Sequence, residues 1–395
     1  MSGAVFRGGP FAGVAMSDAF AVAALNQSPV IVDLPPIVWP AGLAPRAVQL
    51  GAYQPGQAIT GPVEAAADVL IILYTEYETR ALLDVFTGDS QWTPQRRASW
   101  SPYAHNFNQI KPTIQGIAGD TGLEQGYFGY LTAFAIGDAK VVLYKSELHP
   151  KGNGADIPFI PVIQQLVGEL APKLVISTGT AGAIGSHINC GDVAITKAAR
   201  FHTQGDYPKF PVLASMSTNA TALTSTEAVN ATYVTYAAQN FTSLSLPGLK
   251  QCFDRLSGQA AYSFLKPNIA APSIYLPDAA TLAPQPLAIV SADYLTVDDN
   301  NDSEGLQSLG IMNDTDDAFA FYAISLLPAA QQPQWLSIRN ASEPQVLAAP
   351  FAPGTPAATI VDKLKATAGA IYGVYQYCTT LNSAFACWGV VAGLN

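Results

Sequence analysis

Apolar residues in this chain gather into short unbroken runs, and between those runs stand segments whose apolar positions recur every three to four residues. A run of the first kind marks a strand buried on both faces, and the second pattern marks an amphipathic helix. Residues 68–74 (DVLIILY) predict a buried strand, and residues 76–86, with Leu82, Leu83 and Phe86 at helical spacing, predict the helix that follows it. Strands are expected at 130–136 and 140–145, then a helix over about 157–170 that leads into a strand starting at Leu174. Farther on, the pattern predicts a strand at 287–290, a helix at 316–327, a strand at 335–339 and a long C-terminal helix over about 358–378. Alternation of this kind implies an α/β protein, a three-layer α/β/α arrangement around a mixed, mostly parallel central sheet.

Two segments stand apart from that pattern. The first 66 residues are rich in Pro, Gly and Ala (VIVDLPPIVWPAGLAP among them) and read as an extended arm that wraps a surface or a partner. The domain proper then runs from 67 to 395. It is interrupted at about 203–285 by a stretch dominated by Asn, Ser, Thr and Ala, with one short helical piece near 249–256, which reads as an insertion. No internal repeat is visible.

The most informative segment is 174–202, LVISTGTAGAIGSHINCGDVAITKAARFH. An apolar run drops into Ser177-Thr178-Gly179-Thr180-Ala181-Gly182, and a second run, Val193-Ala194-Ile195, follows Gly191-Asp192, so the expectation is strand, small-residue turn, strand. Glycines and hydroxyls at the mouth of a buried strand let a small polar molecule approach backbone N–H groups. The same pattern also serves as a plain tight turn.

Composition narrows the partners. Of 395 residues, 49% are apolar and only 12% charged, which describes a well-packed globular chain with a large core. A net charge of −10 argues against nucleic acid or an anionic membrane, since polyanions require clustered Lys and Arg, and favours small ligands. The start lacks a secretory pattern and no apolar run reaches the ~18 residues of a membrane span, so a soluble cytoplasmic protein is expected. The sequences Asn230-Ala231-Thr232 and Asn240-Phe241-Thr242 match the glycosylation pattern by chance in a chain rich in Ser and Thr. Cys190, Cys252, Cys378 and Cys387 have no zinc-like spacing and are expected to be ordinary buried thiols, and neither a metal nor a cofactor is expected.

Several motifs then fall in one order. Thr178–Ala183, Gly191-Asp192-Val193 and Ala199-Arg200-Phe201-His202 resemble the TG(S/T)AGG-like turn, GD(V/I) strand and ARYH-like stretch of the purine nucleoside phosphorylase and nucleosidase superfamily. Thr75-Glu76-Tyr77-Glu78 resembles the AMxxE-like turn of its nucleosidases, and residues 142–154 resemble the strand and LKSGIGK-like loop. Ser291-Ala292-Asp293 is similar to the SGD-like strand end, Met312-Asn313 stands where the family has Met-Glu, and Arg339-Asn340-Ala341-Ser342-Glu343 resembles the R(A/N)xSD strand end. The resemblance covers about 68–380 outside the insertion. It implies the α/β/α fold, a nucleoside ligand, and a homo-oligomer, with a dimer expected for the branch that resembles methylthioadenosine/S-adenosylhomocysteine nucleosidases.

The chemistry implied is cleavage of an N-glycosidic bond, which passes through an oxocarbenium-like state and requires an acid for the departing base and a held nucleophile at the sugar. By resemblance Glu343 is the acid, in place of the family's aspartate; glutamate starts about 0.4 pKa unit higher and reaches one methylene farther. Glu78 is the water-activating carboxylate, with Glu76 as the second candidate. The bland alternatives are a first-turn helix acid for Glu78 and a loop carboxylate for Glu343. By the same resemblance Thr180, Ala181 and Gly182 form the floor, Met312 and Asn313 meet the sugar, Ser342 at the strand end also binds the substrate, and Tyr294 or Leu295, depending on a one-residue register, stacks on the base.

Asn313 replaces a charged sugar ligand by an amide that both donates and accepts, with Asp314 or Asp316 as compensation, and Met312 alternatively packs in the core. Phosphorylases of the superfamily carry an arginine just before the turn, where this chain has Ser177, and Arg80 fits the second anion-binding arginine poorly. Water is therefore favoured over phosphate, giving hydrolysis of a purine nucleoside or thionucleoside. The alternatives are a phosphorylase, a nucleoside-binding or storage protein, and a specialised biosynthetic enzyme on the same fold. Gly152-Asn153-Gly154 reads as a turn, His149 and His202 as structural, and the acidic run 298–302 as a solvated connection.

Overall fold

The computed structural model describes residues 31, 34, 37, 39–87, 99–110, 121–148, 150, 156–185, 188, 190–201, 222–224, 274–275, 287–291, 306–314, 316–343 and 354–394. The expectations for Gly152, His149, His202, Cys252, Asn230, Asn240, Tyr294, Leu295 and residues 298–302 lie outside them. In chain order the strands are β1 (Arg46–Val48), β2 (Val69–Leu73), β3 (Ser101–Tyr103), β4 (Gly129–Ile136), β5 (Ala139–Ser146), β6 (Leu174–Ala183), β7 (Val193–Thr196), β8 (Ala198–Phe201), β9 (Ala222–Thr224), β10 (Ile274–Tyr275), β11 (Ile289–Ser291), β12 (Met312–Asn313) and β13 (Gln334–Glu343). The helices are α1 (Glu76–Thr87), α2 (Phe107–Ile110), α3 (Thr121–Glu124), α4 (Asp156–Leu170), α5 (Asp316–Ser325) and α6 (Ala357–Ala392).

All thirteen strands join one mixed sheet. Its centre is parallel: β2 lies between β5 and β6, and β13 runs beside β6 on the other edge. Antiparallel strands extend it, with β4 hairpinned to β5 through the positive-φ Gly137, β1 and β3 on β4, β7 on β13, and β12 on the end of β6. Because successive strand residues face opposite sides, the run Val69–Leu73 feeds two cores. Val69, Ile71 and Leu73 pack with residues of α1 and α6, while Leu70 and Ile72 pack with residues of α4 and α5. Helices thus cover both faces, and the chain is a three-layer α/β fold with a mixed sheet.

Three details depart from the sequence pattern. Ser177–Gly182 is not a turn: β6 runs unbroken through it, ten residues long and buried throughout, because β13 pairs with it from Leu174 to Gly182. The C-terminal helix does not end near Cys378 but continues to Ala392. Thr379, Thr380, Asn382 and Ser383 are weak helix formers, yet tertiary burial overrides propensity, and Leu381, Phe385, Trp388 and Val391 among and beyond them are core residues. Cys378 is disulfide-bonded rather than an ordinary thiol, while Cys190 and Cys387 are free and buried. Among the described residues no helix is long and apolar enough to cross a membrane.

Part of the N-terminal segment is built into the domain. β1 lengthens the sheet, Leu50, Ile59 and Val63 are buried, and Val63 N–H donates to the Glu169 carboxylate at 2.8 Å. Trp39 packs on Trp388 with ring centroids 4.8 Å apart, and Trp388 Nε1 donates to the Leu43 carbonyl at 2.8 Å. Trp388 therefore clamps the end of α6 to the N-terminal segment. A Trp388→Ala variant is expected to lose about 3–5 kcal/mol of unfolding free energy in urea denaturation.

Candidate functional site

The site begins where β2 leaves β6. On that edge β2 pairs with Leu174–Ser177 and β12 pairs with Gly182–Ala183, so residues 178–181, paired with β13 on the opposite edge, have no described strand on this one. Polar groups of a buried edge must be satisfied some other way. Thr180 shows how: its N–H donates to Glu78 Oε1 at 2.8 Å, and its carbonyl accepts from Arg339 Nη1 at 3.0 Å. Side chains stand in for a missing strand, at the carboxyl ends of parallel strands where open α/β sheets bind ligands.

Glu78 is held by local sequence as well. Thr75 and Glu78 form a capping box: Glu78 N–H donates to Thr75 Oγ1 at 3.3 Å, and Thr75 N–H donates back to Glu78 Oε2 at 2.8 Å. Tyr74 N–H also donates to Oε2 at 3.2 Å, and Thr180 Oγ1 donates to Oε1 at 2.8 Å. With four donors on two oxygens, this buried carboxylate ties the start of α1 to the middle of β6. The approach depends on Gly179, at φ +150°, because a Cβ there would collide with the Glu78 carboxylate and press on Arg339. Glu76, the second candidate, is instead ion-paired with Lys145 at 3.4 Å; Lys145 in turn meets Glu147 at 2.7 Å.

The row of strand partners at Gly182 brings the other residues together. Asn313 of β12 pairs with Gly182 from one side, and Glu343 of β13 pairs with it from the other across a bulge. Asn313 is buried and its Nδ2 has no hydrogen-bond partner among the described residues. Ser342 Oγ donates to Glu343 Oε2 at 2.6 Å and lies 3.3 Å from the Ala181 carbonyl, which fixes the orientation of the Glu343 carboxyl. Met312 packs among Ala181, Ala183, Ile289 and Ala341, so its side chain is core.

Beside this row lies a charge cluster centred on Arg339, which the sequence motifs placed but gave no role of its own. Arg339 is fully buried; its Nε meets Asp317 Oδ2 at 2.7 Å, its Nη2 meets Asp314 Oδ1 at 3.0 Å and Asp316 Oδ2 at 3.9 Å, and its guanidinium carbon lies 5.2 Å from the Tyr74 ring centre. Burial alone would favour the neutral arginine, but the three aspartates more than offset it and hold the guanidinium charged. Three acids against one cation cannot all ionise at low cost. Burial, reinforced by neighbouring carboxylates, pushes Asp314 up to about 7 in spite of Arg339, and pushes Asp316 well above the ordinary aspartate value. Asp314 Oδ1 also accepts the Asp316 N–H at 2.8 Å, capping α5, so these two acids serve Arg339 rather than replacing the missing charge at Asn313.

Tyr372, on α6, completes the site, and no motif points to it. It is half-buried and within electrostatic reach of Glu78, Glu343 and Asp314. Burial first and then those carboxylates raise its phenol well above the ordinary value, so it stays protonated. No sequence signal distinguishes it from Tyr375 and Tyr377 in the same helix. Among the described residues no group of His, Cys, Asp and Glu is arranged to hold a metal.

No protein-family model matches the chain, and no curated protein matches it. Among solved structures it is similar to the 5'-methylthioadenosine/S-adenosylhomocysteine nucleosidase of Helicobacter pylori, at 9% identity and a TM-score of 0.46 over 82% of this chain and 98% of that one. It is also similar to the futalosine hydrolase of Helicobacter pylori, at 9% identity and 0.43 over 82% and 97%. A third is the MTA/SAH nucleosidase of Streptococcus pneumoniae, at 14% identity and 0.45 over 82% and 99%.

A Gly179→Ala variant is expected to lose at least about 2 kcal/mol in chemical denaturation, from the positive φ and the collision with Glu78. The raised aspartates set a pH dependence. Their folded pKa values lie above the unfolded value of about 3.9, so between there and about 7 the folded chain binds more protons than the unfolded one. Stability contributed by this cluster is therefore greatest below about pH 4 and declines as pH rises towards about 7; Asp314→Asn should flatten that slope in urea midpoints measured from about pH 4 to about pH 8.

Proposed function

We propose that this chain hydrolyses the N-glycosidic bond of a nucleoside, with a purine nucleoside or thionucleoside as the substrate class. The observation that carries the reading is the crowding of acids at the site: Asp314, Asp316 and Asp317 surround one guanidinium, and Glu78 and Glu343 both lie within electrostatic reach of Tyr372. A pocket with excess negative charge favours the positive, oxocarbenium-like sugar of the transition state. The same charge disfavours phosphate. Arg339 is already occupied by carboxylates, and Lys145 is paired with Glu76 and Glu147, so a phosphate would enter without either cation to offset it.

In this reading Glu343, oriented by Ser342, gives its proton to the departing base as the C–N bond breaks. Asn313 Nδ2 donates to a sugar hydroxyl oxygen. A water attacks the sugar carbon, forming the new C–O bond, and its proton passes to Thr180 Oγ1 while the Thr180 hydrogen passes to Glu78 Oε1. The relay is needed because both Glu78 oxygens are occupied by donors, of which the hydroxyl is the mobile one. No cofactor takes part, and the protein acts as a homo-oligomer, a dimer in the first instance.

That same occupancy of Glu78 favours a second reading, in which the pocket binds a nucleoside without turning it over. One assay separates them. Free base should appear from adenosine or inosine in phosphate-free buffer, followed by chromatography, and Glu343→Gln should lower the rate at least about 100-fold while nucleoside still binds. Binding without base release would establish the second reading, and strict dependence on added phosphate would establish a phosphorylase.

A further inference from the structure

We infer that Asn340 is a positioning residue of this site: its side-chain amide grips the Gly179 carbonyl, and through that rigid peptide it aims the Thr180 N–H at Glu78. The inference rests on the hydrolytic reading above and adds to it a residue of β13. Its first support is the geometry of one peptide group. The Gly179 carbonyl and the Thr180 N–H belong to the same planar unit and point in opposite directions within it. Asn340 Nδ2 donates to the carbonyl at 2.8 Å, and the N–H donates to Glu78 Oε1, also at 2.8 Å. Whatever fixes one end of the plane therefore fixes the other, and hydrogen bonds joined through one peptide polarise and strengthen each other. Asn340 lies opposite Thr180 in the register of β6 and β13, so the sheet itself sets the amide at this level.

The second support is the accounting of donors and acceptors around that amide. Thr380 Oγ1 donates to the Gln376 carbonyl at 2.7 Å and Ser383 Oγ donates to the Thr380 carbonyl at 3.0 Å, so neither hydroxyl has a hydrogen left for Asn340. Both accept from it, at 3.4 and 3.0 Å, and the Gly179 carbonyl can only accept. Three acceptors around one end of the amide require the nitrogen there, which settles its orientation. The two α6 hydroxyls hold the amide, and the amide holds the peptide. What the arrangement leaves over is Asn340 Oδ1, buried without a hydrogen-bond partner among the described residues. A side chain needed only to fill the space between β13 and α6 would be less costly as an apolar one of the same shape. The unpaired oxygen is the counterpart of keeping an N–H donor on the Gly179 carbonyl.

The test is Asn340→Leu, which keeps the branched shape and removes the donor. Glycine precedes threonine at only two places in the sequence, 179–180 and 354–355. Isotopic labelling of glycine carbonyl carbons and threonine nitrogens together therefore isolates the Thr180 amide in a nuclear magnetic resonance spectrum, with Thr355 as its internal reference. Base release from adenosine and inosine is measured alongside, and thermal midpoints check folding. With the donor gone, the Thr180 amide proton is expected to move upfield while that of Thr355 stays in place, and kcat is expected to fall about tenfold with KM within about threefold of the parent. An unmoved Thr180 amide overturns the inference whatever the rates. A shifted amide with parental kcat overturns the positioning role and leaves the hydrolytic reading standing, and so does a loss confined to KM. A parent that releases no base overturns the hydrolytic reading and this inference with it. If Asn340→Leu melts early, Ser383→Ala, which loosens the amide without altering the sheet, is the second probe: an upfield Thr180 amide with slower turnover supports the role, and a parental value of either overturns it.

Discussion

A fully buried guanidinium organises the candidate site of this molecule. Arg339 stands on β13 in register with Gly179, and from there it binds three aspartates, the Thr180 carbonyl and the face of Tyr74. An arginine without these partners would be very costly to bury, and the aspartates without the arginine would be equally costly. The cluster therefore forms as a unit or not at all. Because Asp314, Asp316 and Asp317 belong to the start of α5 and Arg339 to the sheet, the same unit fixes where that helix begins, with the acids also lying at the favourable end of its dipole.

The open edge of β6 follows from that constraint. Once Arg339 has taken the Thr180 carbonyl, the N–H of the same residue needs an acceptor, and Glu78 supplies one from α1. Glycine at 179 is what lets the carboxylate come close enough. Three elements far apart in the chain are thus joined through a few backbone groups that ordinary sheet pairing leaves over, in the gap between β2 and β12. The chemistry proposed for the site uses those leftover groups: a hydroxyl, a carboxylate that completes a capping box, and a buried amide whose donor has no partner among the described residues.

The net charge of −10 for the whole chain takes on a local meaning in this arrangement. Acidic residues gather at the carboxyl ends of the parallel strands around a single arginine whose charge they already offset, so the local field favours positive charge and opposes an anion. Ser177, which stands where the phosphorylases carry an arginine, has a structural part in the same cluster. Its Oγ is buried, 2.9 Å from the Tyr74 hydroxyl and 3.4 Å from Arg339 Nη2, within the packed sheet.

Much of the architecture is legible in the chain because strands buried on both faces and helices with one apolar face leave different periodicities. The strands expected at 130–136 and 140–145 and the helices near 76 and 157 agree with the structure within a few residues. The Thr75-x-x-Glu78 spacing carries a capping box that can be read from sequence, and the motif order points to Thr180, Asn313, Ser342 and Glu343, which the sheet brings to neighbouring positions. What the sequence could not decide was set by long-range pairing. Gly-rich residues 177–182 look like a turn until β13 is beside them, and residues 379–392 look unfavourable for a helix until the sheet buries their apolar face. Arg339 appears as one letter of a motif. Its role depends on which buried donors and acceptors the fold leaves without partners, and that is a property of the assembled sheet, where groups far apart in the chain must satisfy one another away from water.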